Sequence, residues 1–261
     1  AAIMPRGRAR SVVSGTWLGH PAHPFLVTMP IGCWTGASLL DLAGQRRAAR
    51  LMIGAGIVST LPVAVTGASD WVDTAGAERQ VGLVHAAANA AATTTYALSW
   101  WARRRDRQML GFSLALAGAA LASVGGWLGG HLAYSLGVGV DTNAFQAGPQ
   151  SWTLLDLRRD EVTSRPSRTE VDGVALIVAA DRGRLCVLAD RCSHRGGPLS
   201  EGALRDGVVT CPWHGSRFDI ATGEVVEGPA VVAQPVYDVR SEDGRIAVRR
   251  FEPRALRTNV T

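Results

Sequence analysis

The sequence predicts a multi-domain protein: an N-terminal all-α transmembrane four-helix bundle followed by a C-terminal all-β domain. Three observations predict it. Charge is spread unevenly over the 261 residues, with eleven Arg and six acids in 1–150 and sixteen of each in 151–261. Four long stretches of the first part contain no Asp, Glu or Arg. The second part breaks into short apolar runs separated by Asp-Gly and Thr-Gly turns.

Composition narrows the class further. Hydrophobic residues make up 47% and charged residues 19%, against about 25% charged in an ordinary soluble domain. That balance excludes a disordered chain. Four Cys are too few for a disulfide-built scaffold of this length. The formal charge is +5 and every one of the 27 basic residues is Arg. Because 151–261 is charge-balanced and the Arg of the first part sit between apolar runs, nucleic-acid binding is not supported.

The charge-free stretches are 24–40, 51–69, 80–102 and 108–140, of 17, 19, 23 and 33 residues. A bilayer core needs about 20 helical residues, whereas an ordinary amphipathic helix would carry charge on its outer face. These stretches predict spans at 24–42, 51–69, 80–102 and 109–133 within a domain at 1–136. Gly32-x-x-x-Gly36, Gly125-x-x-x-Gly129 and Gly126-x-x-x-Gly130 offer small faces for close helix contact in lipid. Trp71, Trp100, Trp101 and Trp127 fall near predicted helix ends, as an interfacial belt would.

Arg46, Arg47 and Arg50 lie between the first two spans, and Arg103, Arg104, Arg105 and Arg107 between the last two. The other side has Arg79 with Asp70, Asp73 and Glu78, plus Arg6, Arg8 and Arg10 in the N-terminal tail. The positive-inside bias puts both Arg-rich loops in the cytoplasm. The expected location is therefore a bacterial-type cell membrane, multi-pass, with the C-terminal domain outside the cytoplasm.

Residues 137–150 read as a polar, Gly-containing linker. From 151 the runs 152–157, 174–179, 185–188, 208–210, 231–239 and 246–248 read as strands of a domain at 151–251, leaving a tail at 252–261. Turns are expected at Asp172-Gly173, Asp206-Gly207, Thr222-Gly223 and Asp243-Gly244. No internal repeat is visible in the sequence.

The β part carries Cys192-Ser-His194 and Cys211-Pro-Trp-His214. Two thiolates and two imidazoles can hold zinc tetrahedrally. The local Cys–His pairing also suits two loops that each give one ligand to either of two irons, sulfurs on one and imidazoles on the other.

With Gly196-Gly197-Pro198-Leu199, Gly215-Ser216-x-Phe218-Asp219 and Gly228-Pro229-Ala230, residues 151–251 resemble the Rieske [2Fe–2S] family. The resemblance implies a [2Fe–2S] cluster with Cys192 and Cys211 on the inner iron and His194 and His214 on the outer one. Gly197 and Trp213 stand where respiratory members carry an extra disulfide, so that bridge is absent. Ser216 matches a hydroxyl that bonds the cluster in high-potential members, while Phe218 stands at the position of a Tyr. Fewer donors lower the potential, so a ferredoxin-like or intermediate value is expected. Cys33 and Cys186 read as buried small hydrophobes.

His20, His23, His85 and His131 map to one face of the membrane part, joined by Asp70. Ionisable groups within spans are functional candidates. These four are candidate ligands of a haem b or another metal, or contacts of a quinone; ordinary interhelical hydrogen bonding is the plainer reading. His20-Pro-Ala-His23-Pro-Phe and the four small-residue spans resemble an uncharacterised four-helix membrane family (DUF2231-like).

Together these readings predict a membrane-anchored protein that carries single electrons between a membrane partner, whether haem, quinone or redox protein, and another acceptor. No catalytic residue is expected. The alternatives are an oxidoreductase using the membrane histidines and a redox-sensing module. A self-contained oxygenase would need two further His for mononuclear iron, and 151–261 has none beyond the four ligand positions. Donor, acceptor and oligomeric state are not encoded in any motif.

Overall fold

The computed structural model describes residues 7–251; the expected tail at 252–261, and Arg6, lie outside them. Residues 21–139 form one compact unit, and residues 140–251 form another that also includes residues 7–20. Much of the predicted linker, and the N-terminal segment expected with the helices, thus pack with the β unit.

The first unit contains α2 (Ala22–Leu26), α3 (Thr28–Leu42), α4 (Arg46–Trp71), α5 (Gly76–Arg104) and α6 (Gln108–Gly130). Three stretches, Ala22–Leu42, Arg46–Trp71 and Gln108–Ser135, are long and apolar enough to cross a membrane. The expected third span lies within α5, which is 29 residues long but carries Asn89, Thr93, Thr94, Thr95 and Ser99, and is not among those three. Large apolar side chains such as Leu39, Leu61, Leu83 and Val124 point outward, while Ser59, Thr66, Ser99 and Arg103 are buried. That distribution inverts the usual soluble helix.

Arg103 is not a loop charge. Its guanidinium donates to both oxygens of Asp41 at 2.6 Å and to Ser99 Oγ at 3.3 Å. The arginines left for this turn are Arg104 at the end of α5, Arg105 and Arg107.

The structure also contains a repeat that the sequence conceals. Asp41 and Arg103 are 62 residues apart, as are Trp34 and Tyr96, whose rings stack at 4.0 Å, and His23 and His85, whose centroids lie 6.3 Å apart. The turns repeat as well: Gln45 N donates to Leu40 O and Arg107 N to Ala102 O, while Gly44 and Asp106 both adopt positive φ. Gly56 lies against Trp34, and its counterpart Gly118 lies against Tyr96. The hairpin of α2 and α3 with α4 and the hairpin α5–α6 are two copies of one unit, α2 and α3 together matching the single helix α5, with equivalent residues meeting at their interface. Helix pairs tolerate such divergence because size and spacing, more than identity, set the packing.

Of the Gly-x-x-x-Gly motifs, Gly125 and Gly129 do abut α5, at Asn89 and His85, whereas Gly32 has nothing within 4 Å of a built Cβ. Approaches as close as that of Gly125 also occur at Gly56, Gly82 and Gly111, outside any such motif.

In the β unit, β1 (Thr153–Arg158) pairs with β10 (Arg245–Arg250), which pairs with β9 (Tyr237–Glu242). A second sheet joins β2 (Ser167–Val171), β3 (Val174–Asp181) and β4 (Arg184–Ala189). The third joins β5 (Ala203–Arg205), β6 (Val208–Thr210), β7 (Arg217–Asp219) and β8 (Val225–Glu227). Sheets one and two enclose Leu155, Leu176, Val178, Val187, Ile246 and Val248. Asp172, Asp206 and Asp243 take positive φ ahead of their glycines, the pattern of tight hairpin turns. Strands β2, β5, β7 and β8 escape the sequence pattern because they are short and half polar. Residues 231–235, read as the start of a strand, instead lead back from the Gly228-Pro229 loop; Val236 makes a single bridge to Leu188, and the continuous strand begins at Tyr237.

Candidate metal centre

Two loops of the same backbone design hold the four ligand-type residues. After β4, Cys192 N donates to Gly197 O and Gly196 N to Cys192 O; after β6, Cys211 N donates to Ser216 O and Gly215 N to Cys211 O. Gly196 and Gly215 have φ of 76° and 79°, the left-handed region that a side chain would strain. Each cysteine thus opens a closed five-residue turn, with its histidine two or three residues along.

Both cysteines are buried, unbridged, and close enough for their thiols to hydrogen-bond to each other. The bond from Cys192, then the backbone N–H groups of Trp213 and His214, hold the Cys211 thiol down to about 7. Its partner Cys192 is pushed up, first by that same bond and then by burial. His194 and His214 are half-buried, their ring centroids 5.1 Å apart and nearly perpendicular. Burial, then the charges of His214, Arg195 and Arg10, lower His194 to about 3, so its imidazole is neutral at neutral pH.

Supporting contacts fix the loops. Asp190 Oδ1 accepts from Ser200 N at 2.7 Å, and Oδ2 faces Arg168 Nε at 3.3 Å. The backbone N–H of Ala230 donates to the buried Ser216 Oγ at 3.0 Å, and Ser193 Oγ donates to Val232 O at 2.7 Å. Together these bonds tie the Gly228-Pro229-Ala230 segment to both ligand loops. A Cβ on Gly197 would meet Cys211 Sγ and Trp213 Cγ at 2.9 Å. Positions 197 and 213 therefore do face each other, without cysteine at either. Phe218 is wholly buried among Ile177, Leu188, Leu199 and Ile220 and brings no hydroxyl.

Several supports went unseen in the sequence. Thr142 Oγ1 donates to Cys192 O at 2.8 Å and Asn143 Nδ2 to Arg191 O at 2.7 Å, so residues of the expected linker dock on the first ligand loop. In the N-terminal segment, with α1 at Arg8–Ser14, Ser11 Oγ accepts from Gly228 N and Thr16 Oγ1 donates to Ala230 O, each at 3.0 Å. Arg10 is buried there. These contacts join residues far apart in the chain, and no local motif announces them.

The donor set fits a [2Fe–2S] cluster: two buried sulfurs within hydrogen-bond reach of each other, two imidazoles 5.1 Å apart on the same two loops, and a His194 ring kept neutral by burial. Among the described residues, no group of three or more His, Cys, Asp or Glu surrounds a single point that would hold one ion.

Comparison with known proteins agrees. Residues 151–238 match the Rieske [2Fe-2S] domain. The ferredoxin subunit of anthranilate 1,2-dioxygenase from Burkholderia cepacia is 37% identical over 90 residues, covering 34% of this chain and 83% of that protein. This chain belongs to the Rieske [2Fe–2S] family. Ahead of the Rieske domain, residues 19–142 match the predicted membrane protein family DUF2231. Apoptosis-inducing factor 3 of Mus musculus is 34% identical over 74 residues, 28% of this chain and 12% of that protein; the chain thus spans a small part of that relative. Among solved structures, the ferredoxin of carbazole 1,9a-dioxygenase from Nocardioides aromaticivorans IC177 is 26% identical, covering 38% of this chain and 98% of that one, with a TM-score of 0.36.

Of the membrane-part histidines, the structure brings His23 and His85 together. His131 stacks on Trp127 at 5.7 Å, and His20 belongs to the segment grouped with the β unit. Asp70 lies at the end of α4 and joins no metal-type group among the described residues.

Proposed function

We propose that this protein is a membrane-anchored Rieske carrier of single electrons, with Cys192 and Cys211 holding the inner iron and His194 and His214 the outer one. The single observation that carries the reading is the matched pair of cysteine turns, which delivers two buried sulfurs and two half-buried imidazoles to one place. Bound there, a [2Fe–2S] cluster supplies one-electron storage. The chain's own residues do the rest. Ser216 accepts the Ala230 N–H and keeps its proton to donate toward the cluster, while Phe218 leaves the second donor position empty. That inventory supports a ferredoxin-like or intermediate potential. Trp213, 56% exposed next to His214, offers an apolar landing point beside the imidazole edge for a redox protein.

The outward apolar faces of α3, α4 and α6 support multi-pass insertion. Arg46, Arg47, Arg50, Arg104, Arg105 and Arg107 favour the cytoplasmic side for their two turns, which leaves the Rieske domain extracytoplasmic. The fourth crossing is α5, whose His85 and Asn89 face α6 at Gly125 and whose Arg103 faces Asp41 of α3.

Purified from membranes in detergent, the chain should contain two irons and two sulfides beyond any other metal, and a rhombic EPR signal on reduction. Cys192→Ser and Cys211→Ser should each remove iron, sulfide and signal. Zinc in place of iron, or release of the wild-type chain from membranes by carbonate washing, would overturn the proposal.

A further inference from the structure

The repeat brings the equivalent residues His23, on α2, and His85, on α5, to a centroid distance of 6.3 Å, and their surroundings repeat as well. His23 Nδ1 lies 3.0 Å from Val63 O, and His85 Nδ1 lies 2.9 Å from Gly125 O. The two acceptors are equivalent positions of α4 and α6. Four residues beyond each stands a glycine, Gly67 or Gly129, whose built Cβ would meet the imidazole Cε1 at 2.8 or 3.2 Å. In each half, then, a helix carbonyl and a bare glycine one turn later seat one imidazole.

A carbonyl oxygen only accepts, so each Nδ1 carries the proton and each Nε2 carries a lone pair. Two such imidazoles cannot hydrogen-bond to each other. The Asn89 amide does not resolve this. Its nitrogen donates to the His85 carbonyl at 2.9 Å and makes only longer contacts, 3.3 Å to Nε2 and 3.4 Å to Nδ1, with the ring, and none to His23 is seen among the described residues. Thr66 Oγ1 approaches His23 only at Nδ1, at 3.4 Å. At the other interface pairs the copies have diverged to satisfy each other, Asp against Arg and Trp against Tyr. At this one both remained histidine, the arrangement a shared Lewis acid requires.

The spacing suits one. With about 2.0 Å from metal to nitrogen and roughly 1.2 Å from nitrogen to ring centre, imidazoles on opposite sides of one metal lie about 6.4 Å apart. The observed centroids are 6.3 Å apart with planes at 72°, and opposed rings rotate freely about the metal axis. Nδ1–H donated to a backbone carbonyl is also the usual orienting bond of a ligating histidine.

We infer that His23 and His85 form a second metal site, through their Nε2 atoms, on the interface between the two hairpins. Because the protein offers two imidazoles and no third ligand-type side chain among the described residues, the metal is one that brings its own remaining ligands or needs only two: haem iron, or a bare soft ion such as Cu(I). The site stands independently of the Rieske assignment, since it uses none of the same residues.

The test is an optical spectrum and elemental analysis of the full chain in detergent, with hemin and Cu(I) titrated into any protein isolated without them. His23→Gln and His85→Gln are compared with wild type, using the Rieske EPR signal and gel filtration to report folding. The expected result is one further metal per chain, lost from both variants while the cluster signal persists. A Soret band identifies haem, and bound copper without a Soret band identifies the bare ion. Wild type that binds neither overturns the inference, as does either variant binding as well as wild type. Should a variant fail to fold, Gly129→Val, which crowds the ring without removing it, serves in its place, and unchanged binding by that variant counts equally against the site.

Discussion

Exchanging Asp41 and Arg103 tests whether the two hairpins are copies. Arg103 is 1% exposed and Asp41's side chain 8% exposed, with both guanidinium–carboxylate bonds at 2.6 Å. Removing one partner strands a buried charge, at a cost of about 3–5 kcal/mol. Asp41→Asn and Arg103→Met should each lose stability on that scale. The exchange D41R/R103D restores the charge pair at equivalent positions, but the two sides are not equally roomy. The Arg103 stem runs across Gly111, where a Cβ would come within 2.5 Å of Arg103 Cγ. The equivalent residue in the first hairpin is Ala49, fully buried. An arginine at 41 therefore meets the Ala49 methyl, an overpacking of about 1–3 kcal/mol. Adding Ala49→Gly should relieve it, so stability should rank wild type above the triple variant, the triple above the exchange, and the exchange above either single change. Unfolding in mixed detergent and SDS, followed by tryptophan fluorescence, gives the ranking. A triple variant no more stable than Asp41→Asn would refute the equivalence of the two halves.

Three further outcomes follow from the metal centre. Gly197→Ala places a methyl 2.9 Å from Cys211 Sγ and Trp213 Cγ, and should lower cluster occupancy severalfold, read as iron and sulfide per chain. Ser216→Ala leaves the buried Ala230 N–H without its acceptor, costing about 1–3 kcal/mol, and should lower the reduction potential in protein-film voltammetry; an unchanged potential would remove Ser216 from the cluster's surroundings. In the metal-free chain, burial first and then the neighbouring charges lower His194 from its ordinary 6.5 to about 3. The unfolded chain therefore binds the extra proton between those values, and stability should be full above pH 6.5 and fall as pH drops toward 3. Melting temperature against pH checks the sign, and a flat profile in that window would contradict it.

How much of this was legible in advance varied with the range of the contacts. The ligand loops were readable because a thiol and an imidazole at fixed short spacing, with glycine at the forced positive-φ position, carry their chemistry locally. The Asp-Gly hairpins were readable for the same reason, and Arg182-Gly183, which makes an equivalent turn, was not, because Arg is rarely placed there. Strands such as β7 and β8 were missed since three residues hold too little period to show alternation.

Charge-free length alone dictated where the long helices lie, because an uncompensated ionic group is too costly in an apolar span for chance to leave four such stretches clear. Which residues meet across those helices was another matter. The burial of Arg103, the seating of His23 and His85, and the docking of Thr16 and Asn143 beside the ligand loops all depend on backbone brought together over 40 to 214 residues of chain. Packing at such distances is selected by size and shape, which many sequences satisfy. For that reason the two hairpins repeat their contacts at a 62-residue offset while sharing few letters.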